Sequence, residues 1–150
     1  MKKILIISSN RLGDCILSSG VIEYYRNYYK DSEITYVCGI VPFDLFKSFD
    51  NIKSVIPLKK KKFSLHWLYL WFKVCLNSWD CIVDLRGTLI SFFLLTKKRV
   101  CYSGINKNKQ LHKVISTSQI IGDRILEPQI NISKKSLLFK ENINFIRKVK

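Results

Sequence analysis

Lys3-Ile4-Leu5-Ile6-Ile7-Ser8-Ser9-Asn10-Arg11-Leu12-Gly13-Asp14 opens the chain, and the rest of the sequence is organised around it. The run from Lys3 to Ser8 is short, and its inner residues, Ile4 to Ile7, are mostly β-branched and apolar at every position rather than every second one. A strand of that kind is buried on both faces, as in a parallel sheet. Asn10 to Gly13 turn the chain. A helix is expected from Asp14, with Ile16, Leu17, Val21, Tyr24, Tyr25 and Tyr28 on its apolar side and Asp14 as its N-cap.

The same alternation continues downstream. Strands are expected at Glu33 to Cys38, Lys53 to Leu58, Asp80 to Leu85 and Arg99 to Tyr102. Helices are expected at Pro42 to Phe49, Ser64 to Ser78, Thr88 to Leu95 and His112 to Ile121, the last stopped by Gly122. Gly104 to Gln110 reads as a polar loop. Strands alternating with helices give an α/β fold with a Rossmann-like parallel sheet and flanking helices. Glu127 to Ile132 reads as extended and Lys134 to Val149 as a helix, resembling the run-up to a further domain. The division expected is therefore 1–132 as one domain and 133–150 as a helix leading out of it.

Lysine and arginine number 26 against 11 acidic residues, a net charge of +15. That excess points to anionic company: phosphorylated glycolipid, a membrane surface or nucleic acid. Nucleic acid is the least favoured, since no reading motif accompanies the charge. The five cysteines (15, 38, 75, 81 and 101) form no C-x-x-C pair and are not bracketed by His66 and His112, which argues against zinc and against a disulfide framework. They read as reduced thiols of a cytosolic protein. The longest uncharged apolar run, Phe63 to Phe72, stops at Lys73, short of the roughly 18 residues a spanning helix needs. The expectation is a soluble or peripheral protein.

Ligands of open parallel sheets bind beyond the carboxyl ends of the strands, so Ser8 to Asp14 lies in the functional position. The six glycines never make G-x-G, and no Gly-Lys-Ser/Thr occurs, which weakens dehydrogenase and P-loop readings. What remains is a carboxylate, Asp14, presented at a strand-to-helix turn. It carries two readings. One is a helix cap. The other is a general base, kept ionised by the helix N-terminus and able to accept a proton from a substrate hydroxyl.

Several segments, in order, resemble one family. The opening strand is followed by Asn10-Arg11-Leu12-Gly13-Asp14 and Ile16-Leu17-Ser18-Ser19-Gly20-Val21. Then come Asp31-Ser32-Glu33-Ile34-Thr35-Tyr36-Val37, Asn51-Ile52-Lys53-Ser54-Val55-Ile56, and Trp79-Asp80-Cys81-Ile82-Val83-Asp84-Leu85-Arg86-Gly87. His112 and Ile120-Ile121-Gly122 complete the set. Together they are similar to the amino-terminal half of glycosyltransferase family 9, the lipopolysaccharide heptosyltransferases. Asn10 and Arg11 stand where small hydroxyl residues are common in that family, and Gly20 where proline is usual.

The resemblance implies a GT-B enzyme: two Rossmann-like domains facing a cleft, with inverting sugar transfer. Asp14 falls on the family's base. Asn10, Arg11, Gly13 and Arg86 would contact a lipid-linked anionic glycan acceptor. The donor, a nucleotide-sugar such as ADP-heptose, would be held mainly by a second domain, here or on a partner chain. No metal or other cofactor is implied. A bidentate Arg86 on an acceptor phosphate and a merely structural arginine remain equal readings, as they do for Arg11. The competing expectation is a non-catalytic domain that binds an anionic glycolipid, a membrane surface or a partner.

One further motif stands apart. Lys59-Lys60-Lys61-Lys62 leads into an aromatic helix carrying Trp67 and Trp71. It reads either as a core helix or as an interfacial one, with lysines on anionic lipid and tryptophans at headgroup level. Lys107 and Lys109 read as a solvated face, His112 as a residue near a helix start, and Asp84 as structural.

Overall fold

The computed structural model describes residues 1–60, 62–102, 113–122 and 125–130. The polar loop, Lys61, Lys107, Lys109, His112 and the helix expected at Lys134 to Val149 lie outside them, as does 133–150 as a whole. Five strands, β1 (Lys2–Ile7), β2 (Ser32–Gly39), β3 (Ser54–Leu58), β4 (Trp79–Asp84) and β5 (Thr96–Cys101), form one sheet in the order β3-β2-β1-β4-β5. All four pairings are parallel. The helices are α1 (Leu12–Leu17), α2 (Gly20–Tyr28), α3 (Ile40–Lys47), α4 (Leu65–Val74) and α5 (Lys113–Ile121).

The central strand explains the opening motif. Ile4, Leu5, Ile6 and Ile7 are all fully buried, because both faces of the sheet are covered. Ile4 and Ile6 join Tyr36, Cys81 and Val83 under α1, α2 and α3. Leu5 and Ile7 join Val37, Ile82, Leu70 and Val74 on the α4 side. Pro57, which cannot donate to a ladder, sits in the edge strand β3.

Several expectations are corrected. First, Asp14 is not the N-cap: Arg11 takes that position with extended backbone, and Cys15 N–H already donates to Arg11 O. Second, the first helix is broken. The Ser18 and Ser19 hydroxyls bond back to the carbonyls of Asp14 and Ile16, competing with the helix ladder, so α1 ends and α2 begins afresh at Gly20. Tyr28, expected on the apolar side, is exposed. Third, the segment expected as a helix from Thr88 to Leu95 is a 3₁₀ turn, Leu89–Phe93. The Arg99 guanidinium fixes it by donating to the carbonyls of Ser91 and Leu94. The aromatic helix is also shorter than expected: left-handed backbone at Phe63 and Ser64 (φ 53° and 57°) delays its start to Leu65, and it ends at Val74 rather than Ser78.

Gly20 has a specific reason to be glycine. Residues 125–130 cross its surface, and a Cβ there would lie 2.3 Å from Glu127 O. The crossing is fastened by two backbone amides: Leu126 N–H donates to Ser118 Oγ (2.8 Å) and Gln129 N–H to Ser19 Oγ (2.8 Å).

Candidate functional site

The strand order reverses between β1 and β4. The connection leaving β1 runs to one side and that leaving β4 to the other, which opens a crevice beyond their carboxyl ends. Two loops line it. The loop after β1 is tied down by Ser8 N–H to Val37 O (2.8 Å) and by Gly39 N–H to Ser9 O (3.1 Å). Its close seat over β2 depends on Gly39, whose Cβ would stand 2.7 Å from Asn10 Cα. The loop after β4 is shaped by Asp84. That buried carboxylate accepts the backbone N–H groups of Arg86, Gly87 and Thr88 and the Thr88 hydroxyl, at 2.6–3.0 Å. Asp84 is thus fully occupied in holding the turn.

Between the loops lies a cavity of about 200 Å³ lined by Ser8, Ser9, Asp14, Ser18, Leu85, Arg86 and Tyr102. Asp14 Oδ2 accepts a hydrogen bond from Ser9 Oγ (3.0 Å), and Ser9 Oγ in turn accepts the N–H of Arg11 (3.2 Å). Among the described residues, the ion pairs are Lys2–Asp80, Lys97–Asp80 and Lys53–Glu33; none involves Asp14. A carboxylate in the first turn of a helix, oriented by one hydroxyl and without a cation on it, keeps lone pairs for an incoming hydroxyl.

Arg86 comes to the same cavity from the far loop. Its Nη1 donates to Asn10 Oδ1 (3.1 Å), and its guanidinium lies over the Trp67 ring, 5.0 Å from the centroid. The remaining donors of this held guanidinium suit an anionic or polyhydroxy ligand. Asn10 therefore positions Arg86 rather than lining the cavity itself. Arg11 and Gly13 are exposed beside the site and line no part of it. Cys15 is next to Asp14, but burial pushes its thiol up, against the smaller pull of its hydrogen bond from Ser8.

The lysine-aromatic motif lies on the opposite face of the sheet from α1. Lys59, Lys60 and Lys62 are exposed. Trp67 and Trp71 are half-buried against the core, and the Trp71 indole N–H donates to Phe93 O (3.0 Å). Both indoles are thus partly built into the domain, while the three lysines stay in water. Among the described residues no helix is long and apolar enough to cross a membrane. Sequence reasoning overlooked Ser9, Ser18 and Tyr102 as cavity walls and Trp67 as the platform for Arg86. The hydroxyl three residues before L-G-D was visible, but its aim depends on the loop folding back.

A doubly wound sheet with a carboxylate, a hydroxyl and a guanidinium at its switch point defines a Rossmann-like binding domain. No family model matches the chain. It is similar to lipopolysaccharide core heptosyltransferase OpsX of Haemophilus influenzae, 24% identical over 103 residues, which is 66% of this chain and 29% of that protein. The fold matches a family 9 glycosyltransferase of Veillonella parvula (TM-score 0.65, 17% identity, 88% of this chain and 44% of that one). It also matches E. coli heptosyltransferase WaaC with ADP (TM-score 0.60, 12% identity, 79% and 46%). The likeness to glycosyltransferase family 9 read from the motifs thus holds in sequence and in fold. The relatives named are enzymes, and the chain spans less than half the length of each of them.

Proposed function

We propose that this domain is the acceptor side of an inverting, GT-B glycosyltransferase that adds a sugar to a lipopolysaccharide core or related surface glycan, with Asp14 as general base. One observation carries the reading: an ion-pair-free carboxylate, oriented by Ser9, opens into the switch-point cavity opposite Arg86. The likeness to OpsX and WaaC supports heptose, supplied as ADP-heptose, as the sugar.

The acceptor hydroxyl gives its proton to Asp14 as its oxygen bonds to the anomeric carbon of the donor. The bond from that carbon to the nucleotide diphosphate breaks on the opposite face, and the diphosphate leaves with the electron pair, inverting the centre. One carboxyl suffices because the diphosphate is already a good leaving group; glycosidases need a second to protonate a poor one. Arg86, held by Asn10 and Trp67, grips an anionic group of the acceptor. Arg11 and Gly13 contribute only at the rim. The donor half comes from the remainder of a longer protein or from a partner chain, and the reaction belongs to the cytosolic face of the membrane. The non-catalytic alternative lacks comparable support, since the relatives are transferases.

The test is Asp14→Asn, assayed with ADP-heptose and a heptose-deficient lipopolysaccharide core in the presence of a donor-binding half. Loss of a general base lowers the rate roughly 10²–10⁴-fold, with acceptor binding retained. An unchanged rate would overturn the assignment.

A further inference from the structure

The α4 face of the domain carries a second concavity, of about 660 Å³, lined by Trp67, Leu68, Trp71, Leu89, Ile90 and Phe93 together with Ser64 and Thr88. Its rim is apolar and in water: Leu68 is 52% exposed, Leu89 76%, Phe93 71%, and the neighbouring Phe63 and Phe72 are 94% and 63%. Single exposed apolar residues need no account, but three on the wall of one cleft with two more beside it do. Phe63 adds to the case. It is held outward by left-handed backbone, a conformation that costs a non-glycine residue roughly 1–2 kcal/mol.

Charge identifies the occupant. Residues 51–102, which include this face, contain ten basic and two acidic side chains, although Lys53 is bonded to Glu33 and Lys98 lies over Tyr28 on the other side of the sheet. Asp84 is buried in its own turn, and Asp80 is bonded to Lys2 and Lys97. Among the described residues, Lys59, Lys60 and Lys62, at the entrance to α4, have no acidic partner. An apolar cleft ringed by aromatic side chains and flanked by unopposed lysines is complementary to acyl chains beneath anionic headgroups. A protein partner would have to bring its own carboxylates to the same edge.

We propose that the α4 face docks on an anionic lipid bilayer, with acyl chain entering the cleft between Trp67, Leu68 and Phe93. The cleft and the Asp14 cavity meet at one contact, the Arg86 guanidinium on the Trp67 ring. A membrane-embedded acceptor held in the cleft would therefore present its headgroup to Arg86. The inference goes beyond the transfer reading and uses none of Asp14's chemistry.

The experiment is flotation of the chain with phosphatidylglycerol vesicles and with phosphatidylcholine vesicles, read together with tryptophan emission. Trp79 is buried, so a blue shift, with quenching by bromine-labelled acyl chains, reports on Trp67 and Trp71. Selective, salt-weakened binding to phosphatidylglycerol is expected. Lys59, Lys60 and Lys62 changed together to Ser should weaken it on the order of 100-fold, at about fivefold per lysine. Phe63→Ser with Phe72→Ser and Phe93→Ser should abolish the emission shift. These side chains are exposed, so both variants are expected to keep the fold, checked by circular dichroism. Binding equal on both lipids, binding that survives both variants, no binding at all, or a lipid-free dimer dissolved by the phenylalanine changes would each overturn the proposal. Because neither donor nor acceptor is present, failure here leaves the Asp14 reading intact, and failure of Asp14→Asn leaves this one intact.

Discussion

Ser9 and Asp14 illustrate how little of a site a single residue explains. The carboxylate was legible in the sequence because its position, after a buried strand and a glycine turn, is the functional place in any open parallel sheet. Its orientation was not. That comes from a hydroxyl five residues earlier, itself steadied by the Arg11 amide. Removing that hydroxyl should cost rate rather than binding. Ser9→Ala is expected to lower kcat about tenfold, the worth of one hydrogen bond to a charged group, with the acceptor KM little changed. Steady-state kinetics on the pair check this; a change confined to KM would instead make Ser9 an acceptor contact. Arg86 shows the same limit. Its place after β4 could be read, but its partners, Asn10 and Trp67, lie 76 and 19 positions away in sequence, a distance no local pattern spans.

At the scale of elements, the strands were legible to within a few residues because burial on both faces writes itself as unbroken apolar runs. The helices around the site were less so. The break between α1 and α2 follows from two serine hydroxyls that prefer backbone carbonyls, and a helical wheel treats them as ordinary polar positions. The 3₁₀ turn at Leu89–Phe93 is imposed from outside by Arg99, so nothing in its own composition announces it. Gly20 makes the point quantitatively. In a free helix, Gly20→Ala would gain up to about 1 kcal/mol of propensity. Here the new Cβ meets a backbone carbonyl at 2.3 Å, and overpacking against backbone costs about 1–3 kcal/mol. The clash wins. The substitution should lift residues 125–130 and strip hydrogen-exchange protection from the Leu126 and Gln129 amides, whose acceptors are Ser118 and Ser19.

For the molecule as a whole, pH acts through a buried ring. His66 is 6% exposed in α4, and its Nδ1 has no hydrogen-bond partner. Burial, then the charges of Arg86 and Lys60, hold it below the ordinary histidine value. The folded domain therefore favours neutral imidazole while the unfolded chain still protonates near the ordinary value of about 6.5. Over that window the unfolded state binds more protons, so stability is full above the unfolded value and falls as pH drops below it. Urea midpoints should decrease from pH 7.5 to pH 5.5, and His66→Gln should flatten the slope; an equal slope in the variant would place the titration elsewhere. The charges of Arg86 and Lys60 pull the same way, adding to burial in opposing protonation of His66.

The position of β1 at the centre of the sheet has a consequence for biogenesis. A strand made well before its second neighbour is also the most deeply enclosed: Ile4 to Ile7 pair with Ile34 to Val37 on one side and with Cys81 to Asp84 on the other. The second partner is made about 80 residues later, which at roughly 5–20 residues per second is a delay on the order of ten seconds. Throughout that interval the nascent chain displays an unpaired, four-residue aliphatic edge, the kind of segment that adds to foreign strands. The order of the strands along the chain thus leaves this aliphatic edge open until β4 arrives to close it.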